Sequence, residues 1–128
     1  MKGYSVEIEI DEVPPTMNTM YPTSRQGRRY LSKKGKEFKE YVQFHLLNLI
    51  NTKRIKPFGD KRVCMYYEFH FKGKRKRDTS NYVKAMEDSF TGLLFDDDEQ
   101  VDDFRAKRFY HAEYNHTVIK AYELKEVA

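Results

Sequence analysis

The chain has 128 residues, enough for one domain with its own core, and its 24 Lys and Arg against 20 Asp and Glu leave a net charge of +4 with a pI near 9.0. A single cysteine, Cys64, excludes an internal disulfide and fits a reducing compartment. The opening MKGYSVEIEI lacks the apolar run of a signal peptide and no stretch reaches about 18 apolar residues, so a soluble, cytoplasmic protein with no membrane span is expected.

The first predicted element is a half-exposed strand over GYSVEIEIDEV, where Tyr4, Val6, Ile8 and Ile10 alternate with Ser5, Glu7 and Glu9. PPTMN (14–18) stops it, because proline cannot donate to a ladder. Residues 19–29 are basic and turn-rich and read as a mobile loop. Ser32 is placed to cap a helix running to about Asn51, with Phe38, Tyr41, Val42, His45, Leu46 and Leu49 at helical spacing. PFGD (57–60) turns the chain. RVCMYYEFHF then sets Val63, Met65, Tyr67, Phe69 and Phe71 on one face of a long strand, with Cys64 on the other.

A second helix is expected from about Ser80 to Thr91, with Val83, Met86 and Phe90 as its apolar stripe and Gly92 at the left-handed C-terminal position. Two strands, FRAKRFYHAEY and TVIKAYEL, finish the chain as a hairpin turning at Asn115 and His116. This order of elements predicts a single α+β domain over 1–128, a mixed sheet of about four strands with two main helices.

Charge is segregated along the chain. Arg25–Lys39 holds seven cations and one acid, Lys53–Arg62 five cations and one acid, and the six positions Lys72–Arg77 five cations. DDDEQVDD (96–103) holds six acids and no base. The basic stretches point to a polyanionic partner. At the end of the third one stands a lone carboxylate, Asp78, where the second helix begins. On that helix Asn81, Lys84 and Asp88 are three and seven residues apart and share the face opposite the apolar stripe. Asp78 and Lys84 can then face one pocket, to which the acids at 96–99 return after a short connection.

Carboxylates with few other ligand types favour Mg2+ or Mn2+ over zinc. A lysine beside them can neutralise charge growing on a phosphate oxygen, and the flanking cations can hold a nucleic-acid backbone. Taken singly, Asp78 is a helix cap or a solvated acid and Lys84 a solvated lysine. A calcium loop is excluded, because its sixth position is Val101 where glycine is needed and its twelfth is Lys107 where glutamate is needed. Asp96, Asp102 and Asp103 read as solvated, and His111 and His116 as flanking the hairpin turn.

KRKRDTSNYVKAMEDSF…DDDEQVDDF closely resembles the core of the RusA-type endodeoxyribonucleases, which resolve Holliday junctions and are often carried by prophages. Their pattern is a basic run, then Asp-x-Asp-Asn-x-x-Lys opening a helix, then Asp-Asp-x-Gln-Val beyond it. The chain supplies Asp78, Asn81 and Lys84, followed by Asp97, Asp98, Gln100 and Val101. PPTMN is similar to that family's Pro-Pro-x-x-Asn loop, and RRYLSKKGKEFKEYV to its entry into the first helix, so the likeness covers roughly residues 4–110.

The resemblance implies an endonuclease using Mg2+ (or Mn2+) held by Asp78, Asp97 and Asp98, with Lys84 as a further catalytic group and Ser80 and Asn81 in support. It also implies a four-way DNA junction as partner, contacted by Lys74, Arg75, Lys76, Arg77, Arg28, Arg29 and Asn18. A homodimer making paired nicks is implied as well. The nineteen Tyr and Phe exceed what one small core needs, and Tyr66, Tyr110 and His70 are placed to extend an interface. One position departs from the pattern: Ser80 stands where the family has its second aspartate, and a neutral hydroxyl is a poorer metal ligand. Serine is also a favoured helix cap. The site then leans on Asp97 and Asp98, binds metal more weakly, or belongs to a protein that binds junctions and cuts them poorly. A non-catalytic nucleic-acid-binding protein is the alternative, and divalent-metal dependence separates the two.

Overall fold

Four strands make one mixed sheet in the order β1-β4-β2-β3: β1 (Lys2–Ile10), β2 (Val63–His70), β3 (Val101–Phe109) and β4 (His116–Leu124). The computed structural model describes residues 2–75, 77 and 79–125, so Lys76 and Asp78 lie outside the described residues. β4 runs antiparallel to both β1 and β2, and β3 lies parallel to β2. Among the described residues three α-helices accompany the sheet: α1 (Met17–Met20), α2 (Lys33–Asn51) and α3 (Ser80–Phe90). The α+β class with two main helices is as the periodicity predicts.

Alternation builds the core. Val6, Ile8 and Ile10 of β1 and Val63, Met65, Tyr67 and Phe69 of β2 are buried, as are Ile119 and Ala121 of β4. Phe38, Val42 and Leu46 of α2 and Val83, Met86 and Phe90 of α3 join them in one cluster. These are the stripe residues that the 3.6-residue period selects. Among the described residues no helix is long and apolar enough to cross a membrane.

The region expected as a mobile loop begins instead with a helical turn. Thr16 caps α1 by accepting from the Thr19 N–H at 3.3 Å, and Met20 is fully buried. Ser32 caps α2 through the Gly35 N–H at 3.1 Å and donates its own hydroxyl to the Thr19 carbonyl at 2.7 Å. A Cβ on Gly35 would stand 3.1 Å from the Met20 backbone and 2.9 Å from Leu31, so glycine is what lets α1 lie against the first turn of α2. Residues 22–30 then fold back on themselves, with Thr23 bridged to Arg29 and Ser24 N–H bonded to the Arg28 carbonyl at 2.7 Å.

The expected terminal hairpin does not form. β2, α3 and β3 make a parallel crossover unit, and such a pair needs a long connection, which α3 supplies. β4 then enters on the other side of β2, so β2 separates it from β3. His116, expected at the turn, opens β4 and stacks on His70 with ring centroids 4.3 Å apart.

Candidate active site

α3 presents Asn81, Lys84 and Asp88 away from the core. Thr79 holds its N-cap position without a side-chain cap bond, and Ser80 is its first residue. The Lys84 ammonium donates to Asp98 and lies 3.7 Å from Asp88, one helical turn on. Hydrogen bonding to Lys84, and then to Asp97, holds the Asp98 carboxyl below its usual range. The same bond to Asp98 raises Lys84, which therefore stays charged.

The acidic run is fixed from beneath. Asp97 caps a 3-10 turn over Asp98–Gln100, its carboxylate accepting from the Glu99 N–H at 3.3 Å. Gln100 closes the box: its Oε1 accepts from the Asp97 N–H at 2.8 Å. Its Nε2 donates to the Gly59 and Lys61 carbonyls, each at 2.7 Å. Gly59 sits at φ 64, a backbone setting that favours glycine, and its carbonyl also accepts from the Asp96 N–H at 3.0 Å. The buried Gln100 amide is thus bonded at both ends, each bond contributing about 1 kcal/mol net. It ties the two candidate ligands to the 57–61 turn.

Arg62 reinforces this from outside, donating to Glu99 at 3.0 Å and through Nε to Asp102 at 3.0 Å. Asp102, expected to be solvated, is therefore paired, and Arg62 holds its pKa down. Asp96 and Asp103 are exposed as expected. The roles of Gln100, Gly59 and Arg62 escaped the sequence reading. Their one signal was a lone amide inside an acidic run, matched by a Pro-Phe-Gly-Asp turn far upstream.

Glu87 also escaped it. Its residue is 8% exposed, and burial pushes its pKa up to about 7 against the attraction of Lys84. Beneath it lies Tyr67, fully buried, whose hydroxyl has no hydrogen-bond partner among the described residues.

α1 divides the surface above α3. On one side a cavity of about 320 Å³ is bounded by Tyr21, Lys39, Asp88 and Asp98, and the Tyr21 hydroxyl is bonded to Asp88. Asn18 and Arg29 line a neighbouring recess with Tyr21. On the other side Arg75 and Arg77 meet Asn81 in a larger cavity. The Arg77 guanidinium rests over the Phe71 ring at 4.3 Å. Lys74 and Arg28 are exposed and line none of these cavities. The structure thus gathers Lys84, Asp97 and Asp98, sets Asn81 one turn away, and places Asn18, Arg29, Arg75 and Arg77 around them.

The oxygen-only donor set suits Mg2+ or Mn2+. Among the described residues no three Asp, Glu, His or Cys side chains converge tightly enough to hold an ion. The adjacent Asp97 and Asp98 carboxylates offer a pair, and Asp78, expected as the third ligand, lies outside the described residues.

A search of curated proteins returns no match. The family model described as Endodeoxyribonuclease RusA matches residues 12–122, a span that takes in the Pro-Pro loop, the basic run, α3 and the acidic run. With the paired acids and the lysine of that pattern meeting in space, the chain belongs to the RusA family of endodeoxyribonucleases.

Proposed function

We propose that the protein is a metal-dependent endodeoxyribonuclease that resolves four-way DNA junctions by paired nicks, acting as a homodimer. The observation that carries this is the meeting of Lys84 with the Asp97–Asp98 pair, beside a surface that carries Arg29, Arg75 and Arg77. Asp97, Asp98 and Asp78 would hold Mg2+ or Mn2+, which when bound supplies water activation and offsets charge on the leaving oxygen. Lys84 is kept charged by Asp98, and its side chain is 49% exposed, so it can also donate to a phosphate oxygen as negative charge grows there. The 57–61 turn and Gln100 keep both carboxylates placed throughout.

A synthetic four-way junction should be cut with Mg2+ or Mn2+ and only bound in chelator. Binding that is equal in both conditions, with no cutting in either, would favour a non-catalytic junction binder. Ser80 gives that second reading its one specific support. If the missing carboxylate limits metal affinity, Ser80→Asp should lower the Mg2+ concentration for half-maximal cutting several-fold. An unchanged or higher requirement would show that the site is built around serine.

Two nicks at equivalent positions need two sites at fixed separation, which a two-fold pair provides. Light scattering should therefore give twice the 15.4 kDa chain mass. Tyr110 packs against the core cluster, which leaves His70 and Tyr66 as the interface candidates on the sheet. A monomer that still makes paired nicks would exclude the dimer.

A further inference from the structure

The cavity between α1 and the N-terminal end of α3 has a volume of about 550 Å³, within the roughly 300–1,000 Å³ of small-ligand pockets. Three cations line it, Lys34 from α2 and Arg75 and Arg77 from the basic run, and no acid does so among the described residues. Thr16, Thr19 and Asn81 add hydroxyl and amide groups, with Pro14, Pro15 and Tyr82 as flat walls. Thr16 donates its hydroxyl to Thr19 Oγ1 at 3.0 Å, which leaves the Thr19 proton to offer to a ligand.

Arg77 is one of the three cations in the lining. Phe71 supports its guanidinium from one side, and Arg108 bonds its carbonyl, so it is held in place. Yet its Nε–H is buried and has no hydrogen-bond partner among the described residues. The other N–H groups of this pinned guanidinium, in a cationic wall, suit the acceptor oxygens of an anionic ligand. The cavity on the other side of Pro14 and Pro15 makes the contrast. Of about 440 Å³, it has Glu12 and Glu37 in its lining beside Lys34, which the two cavities share, and so is net acidic.

We propose that the cationic cavity is a nucleotide subsite, taking the sugar-phosphate of the unit next to the phosphate that is cut. Asn81 belongs to this cavity and Lys84 to the carboxylate cluster, one turn apart on the same helix face. A strand seated in the cavity is thereby delivered to Asp97 and Asp98. Lys34 and Thr19, which the basic-run motif does not include, become substrate-positioning residues. This role rests on the endonuclease function proposed above.

The test uses the full chain in chelator with thymidine 3′,5′-bisphosphate as the probe, followed by amide NMR. Shifts should concentrate at Thr16, Thr19 and Asn81, and Lys34→Ala and Thr19→Val should each weaken the probe at least about fivefold. Lys34 is exposed, so Lys34→Ala should fold normally. The same variant should reduce the slope of log junction affinity against log salt by about one unit. Shifts confined to other surfaces, or an unchanged affinity and slope in Lys34→Ala, would overturn the subsite even if the wild-type chain cuts junctions. Probe binding at these residues in a chain that never cuts would keep the subsite and remove the endonuclease function.

Discussion

Asp98→Asn should lower junction cutting by about a thousand-fold or more while leaving binding in chelator intact or tighter. The carboxylate does two jobs that an amide cannot. With Asp97 it would give the ion a negatively charged pair of ligands, and it holds the Lys84 ammonium in place. Among the described residues, removing it leaves Lys84 with Asp88, 3.7 Å away, and draws the cation off the acidic run. Binding should survive because the change removes negative charge from a surface that meets phosphate. Asp78→Asn should behave the same way if Asp78 supplies the third ligand. Asp102→Asn is the control: Asp102 lies in the same acidic run but faces Arg62, and its loss should change cutting less than about threefold. Gel assays of cutting and binding on one labelled junction read all three variants. Undiminished cutting by Asp98→Asn, or equal losses in Asp98→Asn and Asp102→Asn, would sink the assignment of the site.

The contrast between Asp98 and Asp102 shows where sequence stops informing. Period-two and period-3.6 patterns depend on neighbours along the chain, so the faces of β1, β2, α2 and α3 were legible residue by residue. α1 was not, because four residues carry no period and the turn is held by Ser32 and Gly35, beyond its own span. The β3–β4 arrangement was misread because a tight turn before His116 looks like a hairpin, while the parallel pairing of β3 is decided by the α3 crossover. At the site, spacing set Lys84 towards an acidic run, and the family resemblance singled out Asp97 and Asp98 within it. The support that positions them spans some forty residues, from Gly59 and Lys61 to Gln100, and no local pattern contains it. Glu87 failed in the opposite sense. Next to Asp88 it looks like a second surface acid, and only the packing of α3 over Tyr67 buries it.

That burial makes Glu87 a pH-dependent weakness of the metal-free fold. Its ordinary pKa of 4.5 is pushed up to about 7, first by desolvation, with Lys84 opposing and Asp98 and Asp88 adding repulsion. A carboxyl with a raised folded-state pKa carries no penalty below the unfolded value. The penalty grows between pH 4.5 and 7 and is fully present above that, where folding must bury the charge. At about 1.4 kcal/mol per pKa unit, the ionised form costs the fold on the order of 3 kcal/mol at pH 8. Glu87→Gln keeps the shape and removes the charge. In chelator it should therefore melt about 10 °C above the wild-type chain at pH 8. At pH 5, where wild-type Glu87 is largely protonated in the fold, the two should melt within a few degrees of each other. Thermal scans at both pH values decide the matter. No gap at pH 8, or an equal gap at pH 5 and pH 8, would mean that burial does not raise the Glu87 pKa in the fold.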